Sequence, residues 1–370
     1  SGGFQPSCVT KSIRAAGSRP SAKSFAHARW ILHKPAPLMP PTAPIPLRLV
    51  FLGSDAIALP LLNWLAGVGA SVAQVGGVFT QPDRATGRGQ KVQANAIKAW
   101  ALERGLPVLQ PEKITEDVRL QLAALRPDVA LVMAYGHILR DDFIGTPRLG
   151  TLNLHTSILP KYRGASPIQT AIAIGERETG VTLMRIVRQL DAGPVADVES
   201  VAIQPLDTAL DVESKLAGAC VPLLSRALPR LADGTLAFTP QDGSAATYCR
   251  KLVKEDGTLD FSASAATLAA RINGLFPWPA CTLEMNAQPV KLGLADVLPT
   301  RPSAWSTPGS VMEPDAEGVL IATADGVLRV RRLQRPGGKM LPAAEFQRGF
   351  PLAPGTRLAS QPMPALVSTR

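Results

Sequence analysis

From Leu47 onward, short apolar runs alternate with amphipathic stretches, and this rhythm restricts the fold more than any other feature. The runs LRLVFLG (47–53), AQVGGVFT (73–80), DVALVMA (128–134), TLNLH (151–155) and VTLMRI (181–186) are of strand length and largely apolar. Helical patterns stand between several of them, among them 94-ANAIKAWALERG-105 and 116-EDVRLQLAALR-126. A strand apolar on both faces has to be covered on both. The order therefore predicts an α/β fold, a Rossmann-like, mainly parallel sheet with helices on both faces. Residues 208–234 predict a long closing helix, with Pro222 and Pro229 expected to kink or split it.

After Asp242-Gly243 the pattern changes to a helix at 263–275 followed by alternating strands at 289–298 and 318–334, broken at Asp325-Gly326. Short alternating strands separated by turn residues predict a small β-barrel. The expected division is a leader at 1–46, a catalytic domain at 47–236, a linker at 237–250, a second domain at 251–358 and a tail at 359–370. The opening Ser1-Gly2-Gly3 looks like a cloning remnant, and the Ser-, Pro- and Arg-rich stretch after it lacks a periodic apolar pattern. It reads as a disordered leader, either a presequence or an upstream extension with Met39 as the natural start; the second is preferred.

The chain carries a formal charge of +10 with a pI near 9.8, a balance that attracts polyanions, nucleic acid first among them. No Asp or Glu occurs before Asp55, so the leader supplies much of that excess. No apolar run approaches the roughly 18 residues that span a bilayer, which excludes an integral helical membrane protein. Cys8, Cys220, Cys249 and Cys281 form no CxxC pair, pointing to free thiols in a reducing compartment rather than disulfides or zinc; no metal site is expected.

In a parallel sheet the ligand site lies beyond the carboxyl ends of the strands. The first strand ends in 50-VFLGSDAIALP-60, with one glycine where a dinucleotide fingerprint needs three. A Walker A lysine, HExxH and G-x-S-x-G are also missing, which removes support for hydride transfer, P-loop phosphoryl transfer and serine hydrolysis. What stands at the edge instead is 153-NLHTSILPKYRGASP-167. Alternation along the strand puts Asn153 and His155 on one face. Asp191, in 188-RQLDAGPV-195, follows the run 181–186 and is expected at the same carboxyl edge. An amide to bind a carbonyl oxygen, an imidazole to move a proton and a carboxylate to tune it suit acyl transfer. No Ser or Cys pairs with His155, which favours direct transfer to an incoming nucleophile. The loop 80-TQPDRATGRGQKVQ-93 sets Arg84, Arg88 and Lys91 against the single acid Asp83, and Lys161 and Arg163 add charge nearby. Such a loop suits a macromolecular polyanion. Ser166-Pro167 reads as an N-cap and first turn.

Together these residues resemble the folate-dependent formyltransferases, from about Arg48 to Leu358. The resemblance rests on NLHTSILPKYRGASPIQ and LDAGP, and is narrowed by FTQPDRATGRGQKV, TYCRKLVKEDGTLDF and LFPWP toward members that act on methionyl-tRNA. Thr156 and Pro194 depart slightly from the pattern without removing a catalytic group. The resemblance implies a C-terminal OB-fold-like barrel and 10-formyltetrahydrofolate as donor, held near Ser157, Ile158, Leu159 and Pro160. The implied acceptor is the α-amine of methionine on initiator tRNA. Asn153 would stabilise charge on the formyl oxygen, His155 would assist this and shuttle the proton, and Asp191 would orient or electrostatically tune His155. Arg84, Arg88 and Lys91 would grip the acceptor stem, with Lys161 and Arg163 beside them. Arg329, Arg331, Arg332, Arg335 and Lys339 could track the tRNA body, and Trp278 is expected to be a buried anchor. A monomer in the bacterial cytosol is expected, ahead of an organelle. The rival readings are another folate-dependent N-formyltransferase or formylfolate hydrolase acting on a small molecule, and a non-catalytic RNA-binding protein.

Overall fold

Alternate residues of the first strand enter different cores. Leu49 and Phe51 pack with the helix Leu59–Ala66 and the long helix Ala209–Ala232, while Val50 and Leu52 pack with Phe79, Val118, Leu122 and Phe143. All four are buried, the two-sided covering that a continuous apolar strand demands. A computed structural model describes residues 45–86, 91–298 and 307–369; the leader expected at 1–46 lies almost wholly outside them. From Pro44 on, the chain forms one compact unit.

Seven strands form one sheet in the order Val195–Ala202, Glu178–Arg185, Thr151–His155, Val129–Val132, Leu47–Leu52, Ala73–Phe79, Val108–Leu109. The five from Thr151–His155 to Val108–Leu109 pair in parallel. Glu178–Arg185 and Val195–Ala202 are antiparallel additions at one edge. The chain leaves Leu47–Leu52 toward one side, then returns to add Val129–Val132 on the other. The strand order thus reverses between these two strands, where a crevice opens beyond their carboxyl ends.

The helix Ala209–Ala232 runs unbroken through Pro222 and Pro229, contrary to the expected split. The two prolines are seven residues apart on the solvent face, and so are Gly218 and Ser225, whose carbonyls lose their i+4 donors. Water can satisfy those carbonyls, while the opposite stripe from Val212 to Leu231 stays packed in the core.

Beyond the linker, the helix Ala265–Leu275, N-capped by Ser264, packs on an antiparallel sheet ordered Thr282–Met285, Gln288–Leu298, Val327–Gln334, Val319–Ala322. Leu341–Pro342 pairs with Val327–Gln334, so five antiparallel strands stand where the small barrel was expected. Buried Asn273 completes this packing: its Oδ1 accepts from the Ala295 N–H at 2.8 Å and its Nδ2 donates to the Ala295 carbonyl at 2.9 Å. Trp278 is 55 % exposed, not the buried anchor expected, because Leu275, Ala280 and Cys281 on either side take the core positions. Among the described residues no helix is long and apolar enough to cross a membrane.

Candidate active site

A cavity of about 740 Å³ occupies the crevice at the reversal in strand order. Asp55 and Ile57, after the first strand, line one side of it; Met133 to Leu139, after Val129–Val132, line another. Asn153, His155 and Thr156 lie at the end of the next strand. Asn153 and His155 share a face, while Leu152 and Leu154 enter the core behind them. Among the described residues, the Asn153 side-chain amide has no hydrogen-bond partner in the protein, so both of its donors are open to the cavity.

His155 is buried, and its Nε2 lies 2.8 Å from the Tyr162 carbonyl oxygen. A carbonyl can only accept, so Nε2 carries the proton in the neutral ring and Nδ1 holds the lone pair. Nδ1 faces Asp191 Oδ2 at 3.7 Å. That separation exceeds a hydrogen bond, yet any proton arriving at Nδ1 meets a carboxylate.

Asp191 reaches this position by a different route from the one expected. Glu178–Arg185 is antiparallel to the His155 strand, with Arg185 opposite Leu152 and Thr182 opposite His155. Its end therefore lies at the far edge of the parallel strands, and the loop 186–194 doubles back along the sheet to deliver Asp191. Asp191 has φ +48°, and its Oδ2 accepts the Gly164 N–H at 2.8 Å. Two glycines make these close passages possible. A Cβ on Gly164, at φ +117°, would sit 2.2 Å from the Cys249 carbonyl oxygen, and one on Gly193 would sit 1.9 Å from that of Arg185.

The turn Ser157, Ile158, Leu159, Pro160 does not line the cavity with Asn153, His155 and Asp191. Ser157 Oγ donates to the Lys161 carbonyl at 2.6 Å, Thr182 Oγ1 donates to the Ser157 carbonyl at 2.6 Å, and the Leu159 N–H donates to Thr182 Oγ1 at 3.1 Å. These bonds rigidify the turn that carries Tyr162 to His155. The cavity's other wall, 133-MAYGHIL-139, was missed by the sequence reading, although its place after a parallel strand is the available signal. Ala134 at φ +49° and Gly136 at φ +79° bend it over the opening. Burial pushes the Tyr135 hydroxyl well above its ordinary range. Three apolar side chains stand open at the mouth: Ile138, 94 % exposed, Leu190, 62 %, and Val187, 39 %.

The cations divide into free and committed groups. Arg84 starts a short hairpin, Arg84–Thr86 paired with Lys91–Gln93, and among the described residues its nearest polar partner is Gln81 Oε1 at 3.5 Å. The loop's acid, Asp83, is bound instead by Lys98 and Gln110, and the Lys98 hydrogen bond holds its carboxyl below the usual range. With Ser54 and Gln81, Arg84 lines a second cavity of about 400 Å³, which shares Asp55, Ala134, Tyr135 and Gly136 with the first. Arg88 lies outside the described residues, and Lys91 is described by its backbone pairing alone. Lys161 is exposed and 3.1 Å from Glu176. Arg163, expected to face nucleic acid, is 3 % exposed and bound to Gln241 and Tyr248. Its β-strand partner Tyr248 fixes it inward. Arg329 and Arg331 are likewise withdrawn from any tRNA-tracking face, held by Asp296 and Glu317, with Asp315 also on Arg329. Their strand pairs directly with the one carrying Asp296, which brings the opposite charges together. Ser166 precedes the helix Pro167–Ala173 without a side-chain cap bond.

Burial pushes the Cys249 thiol up to about 11, and it contacts the Tyr162 and Arg163 carbonyls, so it stands near His155 as an inert packing group. An amide and an imidazole open to one cavity, with a carboxylate behind, are groups suited to transfer of a carbonyl group to an acceptor. The chain belongs to the formyl transferase family: that family matches residues 47–228, and the formyl transferase C-terminal domain matches 251–351. Its relatives there include the methionyl-tRNA formyltransferase of Ralstonia nicotianae, 40% identical over 326 residues, 85% of this chain and 98% of that one. The methionyl-tRNA formyltransferase of Burkholderia pseudomallei is 41% identical over 323 residues, 85% and 97% of the two chains. Among solved structures, the sugar 3N-formyl transferase WlaRD, crystallised with dTDP and 5-N-formyl-THF, superposes with a TM-score of 0.58 at 18% identity, over 77% of this chain and 97% of that one. HypX from Aquifex aeolicus with tetrahydrofolic acid gives 0.55 at 18% identity, over 82% of this chain and 47% of that one. At such identities these two likenesses concern the fold.

Proposed function

We propose that this chain formylates the α-amino group of methionyl-initiator tRNA, using 10-formyltetrahydrofolate as donor, in the bacterial cytosol. The observation that carries the chemistry is the juxtaposition of a partner-free Asn153 amide, a His155 Nδ1 lone pair and the Asp191 carboxylate in one cavity. The specificity for methionyl-tRNA rests on relatives of that activity matched over nearly their whole length.

The cavity suits a flat heteroaromatic donor. Val132, Met133, Leu154 and Met184 give it an apolar interior, and Ile138, Leu190 and Val187 leave apolar surface at the mouth that an aromatic ring would cover. Bound there, the donor supplies an activated formyl group whose departing nitrogen needs a proton. Asn153 donates to the formyl oxygen and is matched to the negative charge that grows on it. His155 Nδ1 accepts the proton released by the attacking amine and returns it to the departing nitrogen. The Tyr162 carbonyl holds the imidazole's orientation and keeps Nε2 protonated, and Asp191 faces the charge the ring acquires at Nδ1. The formyl group passes from donor nitrogen to acceptor amine without a covalent formyl-enzyme, in keeping with the inert Cys249.

Arg84 at the second cavity, with Arg88 and Lys91 after it in the sequence and exposed Lys161 on another turn, binds acceptor-stem phosphates. The donor contacts inferred for Ser157 to Pro160 pass to the 133–139 loop, and Arg163 drops out of the nucleic-acid surface. The test is transfer of labelled formyl from the folate donor to purified methionyl-initiator tRNA. Formylmethionyl-tRNA is the expected product. No product with competent donor and charged tRNA, or faster formylation of a small amine, overturns the assignment.

A further inference from the structure

Residues 237–250 lie between the two stretches that the family matches, and the chemistry above makes no use of them. They are nevertheless threaded between the two loops that carry the catalytic pair. Thr239 and Val195 exchange backbone hydrogen bonds of 2.8 Å in both directions, immediately after the Asp191 loop. Tyr248–Cys249 pair in parallel with Arg163–Gly164, immediately after the turn that carries Tyr162 to His155.

Between these anchors Gln241 uses its whole side-chain amide. Nε2 donates to the Asp191 carbonyl at 2.8 Å and to the Gly193 carbonyl at 2.7 Å. Oε1 accepts from Arg163 Nε at 3.1 Å and from its Nη2 at 2.7 Å. The orientation of the amide follows from its partners, because carbonyls cannot donate and a guanidinium cannot accept. Arg163 is in turn fixed by Tyr248, whose hydroxyl lies 3.3 Å from Nη1.

Asp191 needs such holding. Its φ of +48° lies in the left-handed region, which Asp enters more readily than most L residues but still at a cost, so surrounding bonds help keep it there. The Gly164 N–H fixes the carboxylate and Gln241 fixes the carbonyl. Without the second bond, the residue can relax toward the right-handed region and carry its carboxylate away from His155 Nδ1.

We propose that Gln241 is a positioning residue for formyl transfer: its amide, oriented by Arg163, holds Asp191 left-handed with its carboxylate against His155. This rests on the reading that Asp191 acts through His155. Gln241→Leu keeps the side chain's size and removes all four bonds; Gln241→Glu can still accept from Arg163 but cannot donate to the two carbonyls. Both should lower single-turnover formyl transfer about 10- to 100-fold, the scale of a small misplacement in a catalytic group, with KM for donor and for tRNA within about twofold. The decisive measurement is the double-mutant cycle with Asp191→Asn. If Gln241 acts through Asp191, adding Gln241→Leu or Gln241→Glu to Asp191→Asn lowers the rate little further. Equal fold-losses with and without Asp191→Asn, or a loss under twofold when Asp191 is intact, overturn the proposal. A fully active Asp191→Asn enzyme instead overturns the mechanism beneath it. Should Gln241→Leu fail to fold, Gln241→Glu, whose thermal transition is checked first, carries the cycle.

Discussion

Replacing Asn153 by Ala tests the catalytic reading most directly, because the same geometry makes opposite demands on rate and stability. The amide is half-buried on the Thr151–His155 strand and has no protein partner among the described residues, so truncation orphans no group. The folded state should lose no more than about 0.5 kcal/mol, as for a change away from packed or bonded features. The rate should fall far more. Removing one donor aimed at a developing oxyanion costs about 3–4 kcal/mol, roughly 100- to 1,000-fold in turnover. Asn153→Asp, of nearly equal volume, should be at least as slow, since it sets a carboxylate where negative charge must grow. The assay is single-turnover transfer of labelled formyl with donor saturating and methionyl-tRNA limiting, beside thermal unfolding of each variant. A loss below about tenfold in the transfer step, or an Asn153→Asp enzyme faster than Asn153→Ala, would refute the oxyanion role.

Asp191→Asn should slow transfer while leaving tRNA affinity within about twofold, measured by filter binding at fixed salt. Arg88→Ala should weaken use of tRNA and reduce the slope of log affinity against log salt by about one, as for one lost phosphate contact. Asp256 is fully buried, with two oxygens on Arg250 and one on the Val253 N–H. Asp256→Ala should lower stability by about 2 kcal/mol in denaturant titration, because the bonds that this buried carboxylate accepts from Arg250 and the Val253 N–H are lost together. Burial works to raise the carboxyls of Asp256 and Asp296, and their arginine hydrogen bonds outweigh it, leaving both below the usual range. Their stabilisation is complete above the unfolded value of about pH 4 and is lost as pH falls through the lowered folded values. Asp256→Asn should therefore flatten the acid limb of the stability curve.

The strands and the Asn153–His155 face were legible because periodicity two and periodicity 3.6 are local properties. The 181–186 run was legible as a strand but not in its direction, since an apolar strand looks alike parallel or antiparallel. That one gap put Asp191 in the right cavity by the wrong route. Arg163, Arg329 and Arg331 misled for a related reason: a run of cations reads as surface until the register across the sheet is known. Only pairing of Gln288–Leu298 with Val327–Gln334 sets Asp296 opposite Arg329. Gln241 was illegible because its partners are two backbone carbonyls and an arginine far away in sequence, with no spacing to give it away.

The C-terminal part is joined to the catalytic loops by contact as well as by chain. Gly274 lets the helix Ala265–Leu275 approach Pro167–Ala173 so closely that a Cβ there would lie 2.4 Å from the Ala173 nitrogen. The segment leading into it pairs with the very strand, Arg163–Gly164, whose glycine N–H holds Asp191. A close attachment of this kind sets where the C-terminal charges stand. With Arg329 and Arg331 neutralised by Asp296 and Glu317, Arg332, Arg335 and Lys339 are the exposed cations of this stretch. Their place relative to His155 is set by the packing at Gly274 and the strand pairing at Cys249.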